Sequence, residues 1–488
     1  MPKFEPVIGL EVHAELATLS KMFCGCPVVD STSAEPNSSV CEICTGMPGT
    51  LPVINQRAIE YALRVALALN CNIAETSVFA RKNYFYPDLP KGFQISQYEL
   101  PLAQNGWLDF ETENGERRIR IRRVHLEEDT GKLLHREGYS LVDFNRSGVP
   151  LLEIVSEPDM RSTEDVKVFA TSLRSILRYL EASSGDMEKG AVRFEANISL
   201  RPLGTEGLGT RTEVKNLNSF RAMVKALDYE IERQDQILAG GGEVKQETVG
   251  WDEVRGVTVS QRGKEEAHDY RYFPEPDLPP LHIDPAWIDR IRIELPELPS
   301  EKKARFVSEY HLTPYTADLL VEERAVADYF EVAVAHDPDT SPTKIANWLT
   351  GEYFSLLNLA GIEIEQSIVS PQSFAELVAM VEREDINATS GKEVLEVIFE
   401  TGDSPIEIVE SRGLAQLNDP QAIMDLVNQV LAENPKQVEQ YLAGKTTISQ
   451  WLFGQVMRAA GGRANPALLR TNLEQALKIL EESCRSGG

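Results

Sequence analysis

Residues 7–16 alternate without a break: Ile8, Leu10, Val12, Ala14 and Leu16 fall on one side of an extended backbone, and Glu11, His13 and Glu15 on the other. That period predicts a strand with one face in a core and the other carrying acid and imidazole. Residues 193–200 repeat the device, with Phe194, Ala196, Ile198 and Leu200 inward and Arg193, Glu195, Asn197 and Ser199 outward. Residues 211–215 present Arg211, Glu213 and Lys215 in the same way. A fourth alternating run, 118–122, is expected to precede the cluster His125-Leu-Glu-Glu-Asp-Thr-Gly-Lys132, which ends at a glycine turn. Helical period marks 166–180, which Ser162 and Asp165 are expected to open as a capping box. It also marks 374–381, behind Ser370 at the N-cap and Pro371 at the first helical position.

Two breaks divide this pattern. In Ile293-Glu-Leu-Pro-Glu-Leu-Pro-Ser300, prolines 296 and 299 block both helix and central strand, and Ser300 is expected to cap the helix that follows. A second break falls at Thr401-Gly-Asp-Ser-Pro405. Strands dominate before the first break and helices after it. The reading is an α+β chain with a mixed or antiparallel sheet domain over 1–295, an all-α domain over 296–405 and a small helical tail over 406–488.

Composition agrees with a chain that folds throughout. Its 488 residues are 42% hydrophobic and 26% charged, enough for about three domains at ~150 residues each. No apolar run approaches the ~20 residues of a membrane span, and Met-Pro-Lys-Phe-Glu is no secretory leader. A cytoplasmic protein without membrane contact is expected. The net charge of −27 argues against a nonspecific nucleic-acid coat. Its distribution says more: 296–412 holds 8 basic and 23 acidic residues, whereas 413–488 holds 7 of each. Residues 441–470 carry Lys445, Arg458, Arg463 and Arg470 and no carboxylate. These four are candidates for phosphate contacts, against the plainer reading that they solvate two helices.

Candidate chemistry is of two kinds. Cys24, Cys26, Cys41 and Cys44 form Cys-x-Cys, fourteen residues, then Cys-x-x-Cys, a set suited to tetrahedral Zn2+ that would staple a loop and leave no open position for catalysis. Cys71 and Cys484 read as a buried thiol and a tail residue. If the polar strand faces meet, Glu11, Glu127 or Glu128, Glu195 and Glu213 supply oxygens for Mg2+, with His13 as a less usual nitrogen ligand. Strands that merely face solvent alternate in the same way. Arg81-Lys-Asn-Tyr-Phe-Tyr-Pro-Asp88 and Asp269-Tyr-Arg-Tyr-Phe-Pro-Glu-Pro-Asp277 interleave aromatic and basic residues, as surfaces that stack bases do. Gly444-Lys445-Thr446 is no phosphate loop, because Glu439 stands where the leading glycine belongs. Gly240-Gly-Gly242 reads as a helix end. No metalloprotease helix and no Gly-x-Ser-x-Gly elbow is present.

Taken in order, Val7-Ile-Gly-Leu-Glu-Val-His13, the two aromatic segments, His125-Leu-Glu-Glu-Asp129, Glu195-Ala-Asn-Ile-Ser-Leu200, Glu213-Val-Lys-Asn-Leu-Asn-Ser-Phe220 and Ala464-Asn-Pro466 resemble the B-subunit family of aspartyl/glutamyl-tRNA amidotransferases over nearly the whole chain. The resemblance implies a cradle-shaped catalytic domain, a helical domain and a YqeY-like tail that binds tRNA. It implies ATP-dependent phosphorylation of the side-chain carboxylate on Glu-tRNA(Gln) or Asp-tRNA(Asn), then amidation by ammonia from an amidase A subunit, with a small C subunit tying the two together. On this reading Glu11, His13, Glu127 or Glu128, Glu195 and Glu213 hold Mg2+, and Arg81, Lys82, Lys132 and Lys215 lie near phosphates. No nucleophilic side chain is needed, since the substrate carboxylate attacks ATP. The rival readings are a noncatalytic, zinc-stabilised RNA-binding scaffold and a stand-alone metallohydrolase.

Overall fold

Alternation along the first strand, Phe4–Glu15, places it at the centre of a nine-stranded sheet. The structure, a computed structural model, describes residues 3–113, 115–261 and 270–486, the side chains of 483–486 apart. Asp269 and the Cys484 side chain lie outside the described residues. Across the sheet the order is Val257–Ser260, Glu247–Asp252, Thr212–Leu217, Val192–Pro202, Phe4–Glu15, Pro150–Ser156, Gly115–Glu128, Ala103–Thr112 and Asn72–Ile73. Neighbours are antiparallel except Thr212–Leu217 and Glu247–Asp252, which run parallel. Arg211 stands just outside its expected strand.

One face of this sheet is apolar, and the helices Gln56–Ala68, Thr163–Tyr179 and Phe220–Ala239 cover it. Ile8, Leu10 and Val12 meet Val65, Phe169 and Met223 in a single core, each large side chain contributing about 1.5–3 kcal/mol by leaving water. Asn55 and Ser219 cap the first and third helices. At the second, Ser162 Oγ accepts from the Asp165 amide at 3.0 Å, but the Asp165 carboxylate takes the Arg161 N–H at 2.9 Å. Only half of the expected capping box forms, because Asp is one methylene shorter than the Glu or Gln that reaches back to the N-cap. The third helix ends at Gly240, with Gly241 left-handed at φ 76°.

The run at 118–122 and the cluster at 125–128 prove to be one strand, Gly115–Glu128. Arg123 pairs with Val155 while Ile121 pairs with Ser156, so Arg122 is an extra residue in a bulge. Before it Arg118, Arg120 and Arg122 are exposed and Ile119 and Ile121 lie in the core; after it Val124 and Leu126 take the core positions. The bulge thereby turns His125 and Glu127 to the face that carries His13.

The two aromatic segments meet. Phe273–Pro274, Phe79–Asn83 and Phe93–Gln97 form a three-stranded sheet in that order, with Phe273 opposite Arg81 and Lys82 opposite Gln94.

The chain divides into two compact units, Met1–Glu301 and Lys302–Gly488. The second is helical and holds two cores, one running from Phe306 to Val409 and the other from Ile423 to Leu477. Helix Pro299–Glu309 starts one residue before Ser300, so Ser300 lies inside its first turn and is not its cap. Proline suits that first position because its missing N–H needs no partner there. Ser370 and Pro371 act as expected, the Ser370 hydroxyl accepting from the Ser373 amide at 3.0 Å. Gly402 at φ 74° ends one helix and Pro405 begins the next. The architecture is α+β: a mixed-sheet domain followed by helices.

Candidate functional site

Register builds the site from single residues on five adjacent strands. His125, Glu153, His13 and Arg193 are consecutive cross-strand partners, one row across four strands. Directly paired residues stand about 4.5–5.5 Å apart at Cα, so their side chains converge. His13 Nε2 lies 3.5 Å from Glu153 Oε2 and 3.7 Å from Glu127 Oε1, and His125 Nε2 lies 3.1 Å from Glu153 Oε2. Ligand atoms of His13, Glu127 and Glu153 all fall within 4.8 Å of one another. Burial would lower the His13 imidazole, but Glu153, Glu127 and Glu195 raise it to about 9. Burial pushes Glu153 up, yet the two histidines hold it well below the usual carboxylate range.

Glu127 and Glu128 fall on opposite faces of the same strand. Glu127 faces His13, with the Ser96 hydroxyl donating to it at 3.3 Å. Glu128 turns the other way, pairs with Lys91 and accepts the Ile95 amide at 2.9 Å. Glu153 was missed in the sequence, although a lone carboxylate in the wholly buried strand Pro-Leu-Leu-Glu-Ile-Val-Ser was a signal.

A second acidic group adjoins the first. Glu11 stands opposite Glu195, and Asn197 opposite Glu213. Asn197 donates to Glu11 at 3.0 Å, Lys215 Nζ bridges Glu195 at 2.8 Å and Glu213 at 3.1 Å, and Thr248 donates to Glu213 at 2.8 Å. Burial raises Glu11, and Glu153, Glu195 and Glu213 raise it further. Glu213 is pushed up by burial but held below its ordinary value by Lys215 and Thr248.

The expected phosphate cations divide. Lys82 lies beside the first group: burial would lower its ammonium, and the charges of Glu127 and Glu153 more than reverse this. Its Nζ sits 5.1 Å from the Tyr270 ring centre and 5.9 Å from that of Tyr84. Adjacent Arg81 points away, locked to Glu275 by two bonds of 2.7 Å and to Asp277, with its guanidinium over Phe93. Arg81 is thus a strut between the two aromatic segments and is not free for a phosphate. Lys132 is on the hairpin formed with Tyr139–Asp143, its Nζ 3.5 Å from the Ser31 carbonyl. Lys215 belongs to the second acidic group. Of the four tail cations, all exposed, Arg463 donates to the Gly413 carbonyl and Arg470 rests on Phe453.

The four clustered cysteines come together, their Sγ atoms within 4.8 Å of one another and those of Cys41 and Cys44 3.8 Å apart. A tetrahedron with metal–sulfur bonds of ~2.3 Å has edges of about 3.8 Å, so the geometry fits. Cys44 is drawn down to about 5 by its contact with Cys24 and by the charge of Lys21, whereas burial lifts Cys26 to about 11. A cavity of about 410 Å³ opens elsewhere, between Leu67, Ile176 and Leu298, and shares no residue with either acidic group.

Carboxylates and imidazole gathered on one face of a mixed sheet, with Lys82 and its tyrosines beside them and helices following along the chain, are the arrangement of a catalytic subunit. Residues 6–289 match the GatB/GatE catalytic domain and residues 328–477 the GatB domain, so the chain belongs to the GatB family. It is 52% identical over 476 residues to the B subunit of the aspartyl/glutamyl-tRNA(Asn/Gln) amidotransferase of Persephonella marina, covering 98% of this chain and all of that one. The corresponding protein of Moorella thermoacetica is 51% identical over 97% of this chain and all of its own, and that of Roseiflexus sp. 52% over 98% and 99%.

Proposed function

We propose that this chain is the B subunit of a tRNA-dependent amidotransferase, working with an amidase A subunit and a small C subunit on Glu-tRNA(Gln) or Asp-tRNA(Asn). The observation that carries the site assignment is the convergence of His13, Glu127 and Glu153 beside Lys82. A substrate carboxylate oxygen attacks the γ-phosphorus of ATP, releasing ADP and leaving an acyl phosphate. Ammonia then attacks the acyl carbon, phosphate departs with the bonding pair, and the nitrogen gives up its proton to give the amide. Such transfer asks a protein for positioning and charge. His13, Glu127 and Glu153 would hold one Mg2+, and Glu11, Glu195 and Glu213 a second. Mg2+, when bound, supplies positive charge to the phosphoryl oxygens. Lys82, beside Tyr84 and Tyr270, would orient a phosphate, while the carboxylates fix where the substrate's charged end can sit.

The four cysteines would hold a structural Zn2+, and Lys445, Arg458, Arg463 and Arg470 would grip the tRNA backbone away from the reacting end. The chain would act in the cytoplasm; no helix among the described residues is long and apolar enough to cross a membrane.

In the assembled complex, Glu153→Gln and Glu11→Gln are each expected to lower tRNA-dependent ATP cleavage about 100-fold or more, the equivalent of ~3 kcal/mol of lost charge stabilisation. Glutamine hydrolysis by the A subunit and tRNA binding should persist. Full ATP cleavage in both variants would reject the site and leave a scaffold role.

A further inference from the structure

His125 takes no part in the chemistry described above, yet it is buried against it. Its side chain is 2% exposed. It stands directly opposite Glu153 across the strand pair, with Nε2 3.1 Å from Glu153 Oε2. Its other nitrogen, Nδ1, is buried and has no hydrogen-bond partner among the described residues. An ionised carboxylate only accepts, so Nε2 carries the proton of this bond.

The ring lies on the bulged strand Gly115–Glu128, and the Arg122 bulge is what turns it toward Glu153. Glu153 has the His13 ring and the Arg123 guanidinium as its other near neighbours, at 3.5 and 3.7 Å. His13 is needed as a ligand and Arg123 lies farther from the carboxylate than His125 does, which leaves His125, among the described residues, as the closest donor fixing the carboxylate's rotation.

We propose that His125 is a positioning residue that acts through Glu153: its Nε2–H holds the carboxylate in the orientation that completes the divalent-cation site with His13 and Glu127. A carboxylate oxygen has a second lone pair, so Glu153 can accept from His125 and still face a cation. The inference rests on the site assignment above. Groups that orient a ligand in this way are typically worth about 10- to 100-fold in metal affinity.

The test uses the assembled complex and Mn2+ as the probe, with free Mn2+ read by electron paramagnetic resonance in the absence of ATP and tRNA. His125→Phe keeps a ring without the donor and is expected to weaken one Mn2+ site by about 10- to 100-fold. The Mg2+ concentration for half-maximal ATP cleavage should rise in parallel, while kcat at saturating Mg2+ stays near the wild-type value. His125→Gln, which returns an N–H near the original position, should recover most of the affinity. His125→Asn, whose amide stops short, should not, and this Gln–Asn pair carries the comparison if the Phe variant does not fold. Wild-type Mn2+ affinity in the Phe or Asn variant, or equal losses for Gln and Asn, overturns the proposal. Glu153→Gln is the control: if it leaves Mn2+ binding untouched, the cation-site reading itself falls, and this inference with it.

Discussion

Two carboxylates, Glu11 and Glu195, face each other across neighbouring strands. Like charges so placed oppose sheet pairing by up to ~1 kcal/mol, and Lys215 between Glu195 and Glu213 offsets part of that. Cys71 is the contrasting case. It is buried, its Sγ lies 3.7 Å from the Leu69 carbonyl, and a Cβ at Gly106 would collide with it. Burial pushes its thiol from 9.0 up to about 12. A raised acid stays protonated in the fold after the unfolded chain has ionised, so its contribution to stability is complete below pH 9.0 and is lost between there and about pH 12. Iodoacetamide at pH 8 should therefore leave Cys71 unlabelled in the native protein and label it after denaturation, as read by peptide mass spectrometry. Rapid native labelling would contradict its burial.

At the scale of elements, the loop that gathers the cysteines has no strand or helix of its own around Cys41 and Cys44 and is held by cross-links. Lys21, buried, donates to the Ser39 and Phe144 carbonyls, and Asn145 accepts the Ser39 amide. Metal would add the remaining constraint. Purified, reduced protein is expected to contain about one Zn2+ per chain, to lose it in Cys41→Ser, and then to be cut by protease between residues 20 and 50. Metal analysis that finds no zinc would leave four free thiols. The strand Gly115–Glu128 shows what element-level reading could not reach from sequence. Its alternation, Arg118-Ile-Arg-Ile-Arg122, was legible, but extrapolating it through the bulge would send His125 and Glu127 to the wrong face, because an inserted residue leaves no mark in the pattern itself.

For the whole molecule, the neutral tail against a chain of net charge −27 is the feature with consequences. Its four cations are exposed, and among the described residues Arg463 donates to the Gly413 carbonyl and Arg470 rests on the Phe453 ring. Removing residues 413–488 should raise the apparent KM for aminoacyl-tRNA strongly and flatten the salt dependence of binding, since phosphate contacts act through released counterions. Glutaminase activity of the complex should remain near normal. Unchanged tRNA affinity across a salt titration would make the tail a packing module. The tail has its own core, centred on Ile423, Val427, Leu452, Val456 and Leu469, so its loss need not disturb the sheet domain.

Short stretches of the chain were enough to tell which strands have a polar face, that a helix begins at Ser370 and Pro371, that four thiols cluster, and the family, because periodicity, cap chemistry and ordered motifs are local properties. The remainder came only with the folded arrangement. Register set Glu153 against His13 and His125; a bulge turned Glu127, and not Glu128, toward His13; Arg81 and Lys82, adjacent in sequence, face different neighbours, Arg81 locked to Glu275 and Lys82 beside Glu127 and Glu153. Each of these depends on which residue lies across a strand boundary, and pairings between segments tens to hundreds of residues apart are fixed by packing and register, which no single segment encodes.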